Sequence, residues 1–189
     1  MSSIKPIAFI SHRTQDKDSQ IAARFIKNEL DEVFEEGSIF MDVDGLGIGD
    51  VWPQHLENKL NAATVLIVII SEDWIKMSDK YGRRLIDNDK DWVRFEIENS
   101  LRRAIKILPI LVRSEMPPKE ALPLTIQPIT DFQYFKLRVN DWRNDVEKLV
   151  DFLKGLNFMP FDKLDIQCPE LQEINIIPYH SKQKSLKQN

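Results

Sequence analysis

Residues 64–70, Thr-Val-Leu-Ile-Val-Ile-Ile, form the longest apolar, β-branched run in the chain. A strand that is apolar on both sides of its pleat has no face to turn to water, so it belongs at the centre of a sheet covered above and below. Four shorter segments read as its neighbours. Ile7–Ser11 is a brief apolar run closed by polar residues, and Ser38–Asp44 is a second, closed by Gly45, Gly47 and Gly49. Ile105–Val112 and a stretch near Phe132–Leu137 complete the set. Helical patterns alternate with these strands. Asp18 is the expected cap of the first helix, where Ile21, Phe25, Ile26, Leu30 and Val33 keep helical spacing until Gly37. Asp50, with Pro53 behind it, opens the second, whose inner side is Leu56, Leu60 and Ala63. A third starts near Trp92 and a fourth spans about Trp142 to Leu156. Five strands in regular βαβα alternation predict a doubly wound parallel sheet with helices on both faces.

Such sheets bind ligands beyond the carboxyl ends of their strands. The segments expected there are Ser11–Thr14, Asp44–Gly49, Ser71–Trp74 and the loop ahead of Trp92. In the third helix Val93, Ile97 and Leu101 form an apolar stripe, and Trp92 and Glu96 share a face about one residue step to its side. A carboxylate at the edge of a buried stripe, one turn after an indole, suits a ligand-facing site. Taken alone, this window favours the plainer account of a partly buried tryptophan and a solvated glutamate.

Composition narrows the classes. A net charge of -4, from 26 basic and 30 acidic residues, offers no general attraction to nucleic acid or anionic lipid. Only five apolar residues, Pro6 to Ile10, precede Ser11, too few for a signal peptide, and no run reaches membrane-spanning length. The one cysteine, Cys168, excludes an internal disulfide and suits a reducing cytoplasm. The glycines at 45, 47 and 49 lack the G-x-G-x-x-G spacing and follow the second strand, so they read as a loop free to adopt positive φ. Asp42 and Asp44 point the same way from a strand, and His12, His55 and His180 lie far apart, so no metal is expected. Ser11, Ser71 and Ser114 occupy no nucleophile elbow. Arg83 and Arg84 are a candidate phosphate clamp or simply solvated cations.

In order, Phe9-Ile10-Ser11-His12-Arg13, Asp42-Val43-Asp44 with its glycines, Val68 to Trp74, Arg83-Arg84-Leu85, Asp91 to Glu98 and Leu108 to Val112 resemble a bacterial-type Toll/interleukin-1 receptor (TIR) domain. The resemblance covers about residues 5–156. It implies a flavodoxin-like five-stranded sheet, with residues 45–52 as the loop after the second strand, and sets a domain at 1–156 apart from a C-terminal extension at 157–189. TIR domains include enzymes that cleave NAD⁺ and scaffolds that only assemble, and the enzymes use a glutamate that matches Glu96. On that resemblance Glu96 is the catalytic residue. Trp92 packs on a ring of the dinucleotide, and Ser11, His12, Arg13, Asp44, Trp52, Trp74, Arg83 and Arg84 are the remaining substrate-binding candidates, with Phe40 a further residue that closes the pocket.

The implied activity is an NAD⁺ glycohydrolase or cyclase in antiphage defence, forming ADP-ribose or a cyclic or conjugated relative. NAD⁺ is substrate, and no cofactor or metal is called for. The implied partners are further copies of the chain, through TIR–TIR contacts, and a sensor or effector protein. The alternative is a non-catalytic scaffold, since receptor-type relatives carry a similar Trp and Glu. The Arg83 to Trp92 segment, and the lack of a fused receptor or adaptor region in 189 residues, favour the enzyme. A phospho-acceptor receiver shares the expected sheet but needs an acidic pair where this chain has Ser11-His12-Arg13.

Overall fold

The computed structural model describes residues 5–41, 52–138 and 140–161. Five parallel strands form one sheet: β1 (Ala8–Ser11), β2 (Ile39–Met41), β3 (Val65–Ser71), β4 (Lys106–Val112) and β5 (Phe135–Leu137), in the order β2-β1-β3-β4-β5. They alternate with helices α1 (Lys17–Asp31), α2 (Trp52–Ala62), α3 (Trp92–Arg102) and α4 (Trp142–Lys154). The expected doubly wound parallel sheet is what the chain forms. Strand 64–70 is central as its composition requires, with Val65 to Ile70 wholly buried.

Alternation along the strands divides the core into two layers. Ala8, Ile10, Ile39, Val65, Ile67, Ile69 and Ile110 face α1 and α4, joining Ile26, Leu30, Val146 and Leu153. Phe9, Phe40, Leu66, Val68, Ile70 and Leu111 face the other way, with Leu60 of α2 and Val93 and Ile97 of α3. The two layers contain about equal numbers of large side chains, so neither face of the sheet is left to water.

Several boundaries differ from the sequence reading. The cap of α1 is Asp16, not Asp18: its carboxylate accepts hydrogen bonds from the Asp18 and Ser19 backbone N–H groups at 3.1 and 3.3 Å. Asp18 instead sits in the first turn, where its charge still suits the positive end of the helix. The same helix stops at Asp31, short of Gly37, because Phe34 turns inward to meet Phe158 edge-on, with ring centroids 5.7 Å apart. Residues 132–134 stay outside β5, since a 3-10 turn over Gln127–Asp131 delivers the chain to the sheet only at Phe135. The packed unit also runs past Leu156. Phe158 is buried, and Phe34 and Pro160 form an antiparallel bridge. Asp42, Asp44 and the glycine loop, with Asp50, Cys168 and His180, lie outside the described residues, as do the side chains of Trp52 and His55. No described helix is long and apolar enough to cross a membrane.

At the upper end of β5, Arg138 holds Asp145 of α4 through Nε and Nη2, at 3.1 and 2.5 Å, and through its backbone N–H at 2.9 Å. Asp145 is 1% exposed. The side-chain hydrogen bond from Arg138 is the main cause holding its carboxyl below the ordinary carboxylate value, against the opposing effect of burial. A carboxyl depressed on folding stabilises the native state above its unfolded pKa, and that contribution is lost as pH falls through the folded value. Urea midpoints should therefore fall between pH 7 and pH 3. Asp145→Asn should lower the midpoint at pH 7 and flatten that dependence; an unchanged pH profile would show that the pair contributes nothing.

Candidate active site

The strand order reverses direction between β1 and β3, and the crevice above such a switch point is where this class of sheet takes ligands. Everything that rises from β1 here is buried: Ser11 is 0%, His12 3% and Arg13 2% exposed. Two polar links secure the turn from β1 into α1. The Arg13 backbone N–H donates to Ser19 Oγ at 3.2 Å, and Ser71 Oγ at the end of β3 donates to Asp16 Oδ2. Asp16 thus caps α1 with one oxygen and holds β3 with the other.

The Arg13 guanidinium reaches across the crevice to Asp91, donating from Nη1 to Oδ2 at 2.5 Å and from Nη2 to Oδ1 at 3.1 Å. Both side chains are nearly inaccessible, at 3% and 8%. Asp91 Oδ1 also accepts the Arg94 backbone N–H at 2.9 Å, which makes Asp91 the N-cap of α3. One carboxylate therefore starts the helix and ties it to β1. Trp74, in the turn after β3, packs beneath, with its ring centroid 6.0 Å from the Arg13 guanidinium carbon.

α3 carries the expected pair in a changed setting. Trp92 is half-buried, its ring 5.0 Å from Phe95. Glu96 was expected at the edge of the apolar stripe and is fully buried, in the middle of an inner face made of Val93, Glu96, Ile97 and Ser100. Leu101 is only partly buried. The inner face of α3 is thus centred about half a residue step toward Glu96 from the predicted stripe, because the helix buries residues 93, 96, 97 and 100 where it packs on the sheet. Both carboxylate oxygens of Glu96 are shielded from solvent. Beside Trp92 lies a cleft of about 290 Å³ lined by His12, Arg13, Asn88 and Asp91 as well, and Glu96 is not part of its lining.

The structure brings His12, Arg13 and Trp92 to one cleft, with Glu96 one turn along the helix from Trp92. Ser11 lies at the same strand end but wholly inside. Trp74 is 0% exposed and serves as a floor for Arg13. Phe40 packs in the α2/α3 layer against Phe9, at 5.2 Å. Arg83 and Arg84 line a neighbouring polar cleft of about 300 Å³ that shares Leu85 and Asn88 with the first. Neither presents an uncompensated charge. Arg83 is bound to Asp79 at 2.7 Å, and Arg84 to Asp87 at 2.7 Å and to the Ala121 carbonyl at 3.0 Å. With Asp79, Asp87 and Asp89 in its lining, that cleft is net acidic and poorly suited to a diphosphate. Asp44 and Trp52 belong to the segment and side chains outside the description.

Sequence reasoning missed Asp91 and Asp16 as positioning residues. A carboxylate two or three residues before the backbone N–H it caps is a readable signal for both. The pairing of Arg13 with Asp91, 78 residues apart, leaves no local trace. No group of three or more His, Cys, Asp or Glu converges on a metal-binding position among the described residues.

The TIR domain family matches residues 8–150. Among solved structures, a metazoan TIR-STING receptor from C. gigas, in complex with 2',3'-cGAMP, superposes with a TM-score of 0.51 at 17% identity. The match covers 85% of this chain and 43% of that one, so the chain spans less than half of the receptor's length. A prokaryotic SEFIR domain gives a TM-score of 0.47 at 17% identity, covering 77% of this chain and 96% of that one. A 2-deoxyribosyltransferase from Bacillus psychrosaccharolyticus gives 0.44 at 18%, covering 82% and 98%. At 17% identity the likeness to the TIR-STING receptor is one of fold.

Breaking a buried ion pair from one side leaves the other charge unpaired and typically costs about 3–5 kcal/mol. Arg13→Met should therefore destabilise the protein by about that amount, and Asp91→Asn by less, since the amide can still cap α3. The double variant should recover part of the loss in chemical denaturation. Strictly additive single losses would mean that the two side chains do not act as a pair.

Proposed function

Because the chain belongs to the TIR domain family, we propose that it cleaves NAD⁺ at the nicotinamide-ribose bond with Glu96 as the catalytic residue. The observation that carries this reading is the wholly buried carboxylate of Glu96, one helical turn from Trp92 at the rim of the switch-point crevice. Taking a carboxylate out of water costs several kcal/mol, and an apolar side chain would pack α3 on the sheet more cheaply. Ionisable groups retained in such places are candidates for function.

The chemistry needs little else. Nicotinamide is bound in NAD⁺ as a cationic pyridinium and departs neutral, taking the electron pair of the N-glycosidic bond, so no general acid is required. Positive charge accumulates at the ribose C1′ and ring oxygen, and Glu96 offsets it while accepting hydrogen bonds from the ribose hydroxyls. Trp92 packs against a ring of the dinucleotide, and His12 and Arg13 line the nicotinamide side. Water then attacks C1′ and loses its proton to solvent, giving ADP-ribose. An adenine or ribose atom placed at the same carbon gives a cyclic or conjugated product instead. Asp44 and Trp52 are assigned to substrate binding, with Trp52 closing the pocket.

A cleft of about 290 Å³ is at the lower limit for a small-ligand site and is small for a whole dinucleotide. The Glu96 oxygens are closed off from solvent, so substrate entry requires the site to open. Both features support activity that depends on assembly with further copies or on a sensor protein. The released ADP-ribose derivative is assigned a signalling role in antiphage defence, read by a separate effector.

Concentrated protein incubated with NAD⁺, with and without a crowding agent, should release nicotinamide, seen by chromatography. Glu96→Gln and Glu96→Ala should lower the rate on the order of 10²–10³-fold, the range for removing one preorganised electrostatic contact. Their circular dichroism should stay native. Cleavage that survives either substitution removes Glu96 from the reaction, and no cleavage under any assembling condition leaves a scaffold.

A further inference from the structure

A cavity about twice the volume of the candidate-site cleft lies away from it. It is a groove of about 620 Å³ at the opposite end of the sheet, where β4 begins. Its walls are apolar, with Leu101 at the end of α3, Phe132 before β5, and Leu149 and Phe152 on α4. The cause is a mismatch of strand lengths. β5 pairs with Ile110, Leu111 and Val112 only, so residues 106–109 of β4 have no strand partner on that side. An open backbone edge beside apolar side chains suits an extended peptide, which satisfies the edge groups while its side chains fill the groove.

The groove also has a charge. Lys106 and Lys148 stand on its rim, Lys106 with its ammonium 5.7 Å from the Phe152 ring, and no acidic residue lines it. The preferred occupant is therefore apolar and acidic. The chain itself supplies such a segment. Residues 170–177, Glu-Leu-Gln-Glu-Ile-Asn-Ile-Ile, carry four aliphatic and two acidic side chains with no base, and prolines at 169 and 178 bound them. Ile174, Ile176 and Ile177 are β-branched and suited to an extended conformation.

α1 and α4 both run down to the lower end of the sheet, and there the Phe161 N–H is bonded to the Val33 carbonyl at 2.7 Å. Met159 and Phe161 are exposed there. Lys148 lies six residues before the end of α4, about 9 Å along its axis. Eight residues separate Phe161 from Glu170, and at about 3.3 Å per residue they span up to roughly 30 Å. Tethering also sets a local concentration on the order of 1 mM, so a weak contact is enough to keep the groove filled.

We propose that residues 170–177 bind in this groove, lying along the open edge of β4 with their carboxylates toward Lys106 and Lys148. The proposal is independent of any activity. Cys168, the chain's one cysteine, lies two residues ahead of the segment and provides a selective handle. A benzophenone attached to Cys168 in the full chain, photolysed and mapped by mass spectrometry, should crosslink within one chain to peptides holding residues 104–108, 132–135 or 148–152. Lys106→Glu with Lys148→Glu should abolish that crosslink. Ile174→Asp with Ile176→Asp should raise hydrogen exchange at 106–108 about tenfold, the protection that a local concentration of about 1 mM gives a contact with a Kd of about 0.1 mM. Crosslinks to other surfaces, or only between chains in a mixture of isotopically labelled and unlabelled protein, overturn the proposal. So does unchanged exchange in the tail variant.

Discussion

The Arg13–Asp91 ion pair organises the upper end of this molecule. Arg13 and Asp91 are 78 residues apart, and the pair joins β1 to α3 with two charge-assisted hydrogen bonds at the switch point. Its carboxylate also starts α3, so the position of the helix and the position of its first turn are set by one group. Trp92 is the next residue along and Glu96 follows one turn later. An ion pair in this position gains little net stability, because desolvation offsets much of the attraction. What it provides is geometry: a bidentate guanidinium-carboxylate contact tolerates few relative orientations of strand and helix. Asp16 repeats the device on a smaller scale, capping α1 while receiving the Ser71 hydroxyl from β3. The two aspartates together lock β1, β3, α1 and α3 around the crevice.

The ends of the sheet differ in kind. The upper end is polar, with Ser11, His12, Arg13, Asp16 and Glu96 all buried. The lower end is apolar and open, because β5 is three residues long and leaves the first half of β4 uncovered. α3 spans both, with Trp92 and Glu96 in its first half and Leu101 reaching the groove. The helix most concerned with the candidate chemistry is therefore also a wall of the groove at the far end.

Most of the architecture was legible because it rests on short-range patterns. The run at 64–70 is apolar on both sides of its pleat, and the structure places it at the centre with both faces covered. Element edges were less legible, for identifiable reasons. α1 stops early because Phe34 is drawn to Phe158, a partner 124 residues later, and its start was misplaced because two aspartates, 16 and 18, compete for one cap. In the candidate site, Trp92 and Glu96 stood out from their spacing. Arg83 and Arg84 looked like a phosphate clamp because the aspartates that neutralise them, Asp79 and Asp87, act through side-chain geometry that spacing does not show.

The sequence by itself determined the class of fold, the order of its elements and the face of α3 that carries the notable pair, since hydrophobic periodicity and strand composition act over a few residues. Only the tertiary structure decided that Glu96 is wholly buried rather than at an edge, that Arg13 is bound to Asp91, and that the lower end of β4 is open. Each of these depends on which residues meet across the sheet. Burial and pairing are properties of contacts between distant segments, and a linear pattern carries no record of them.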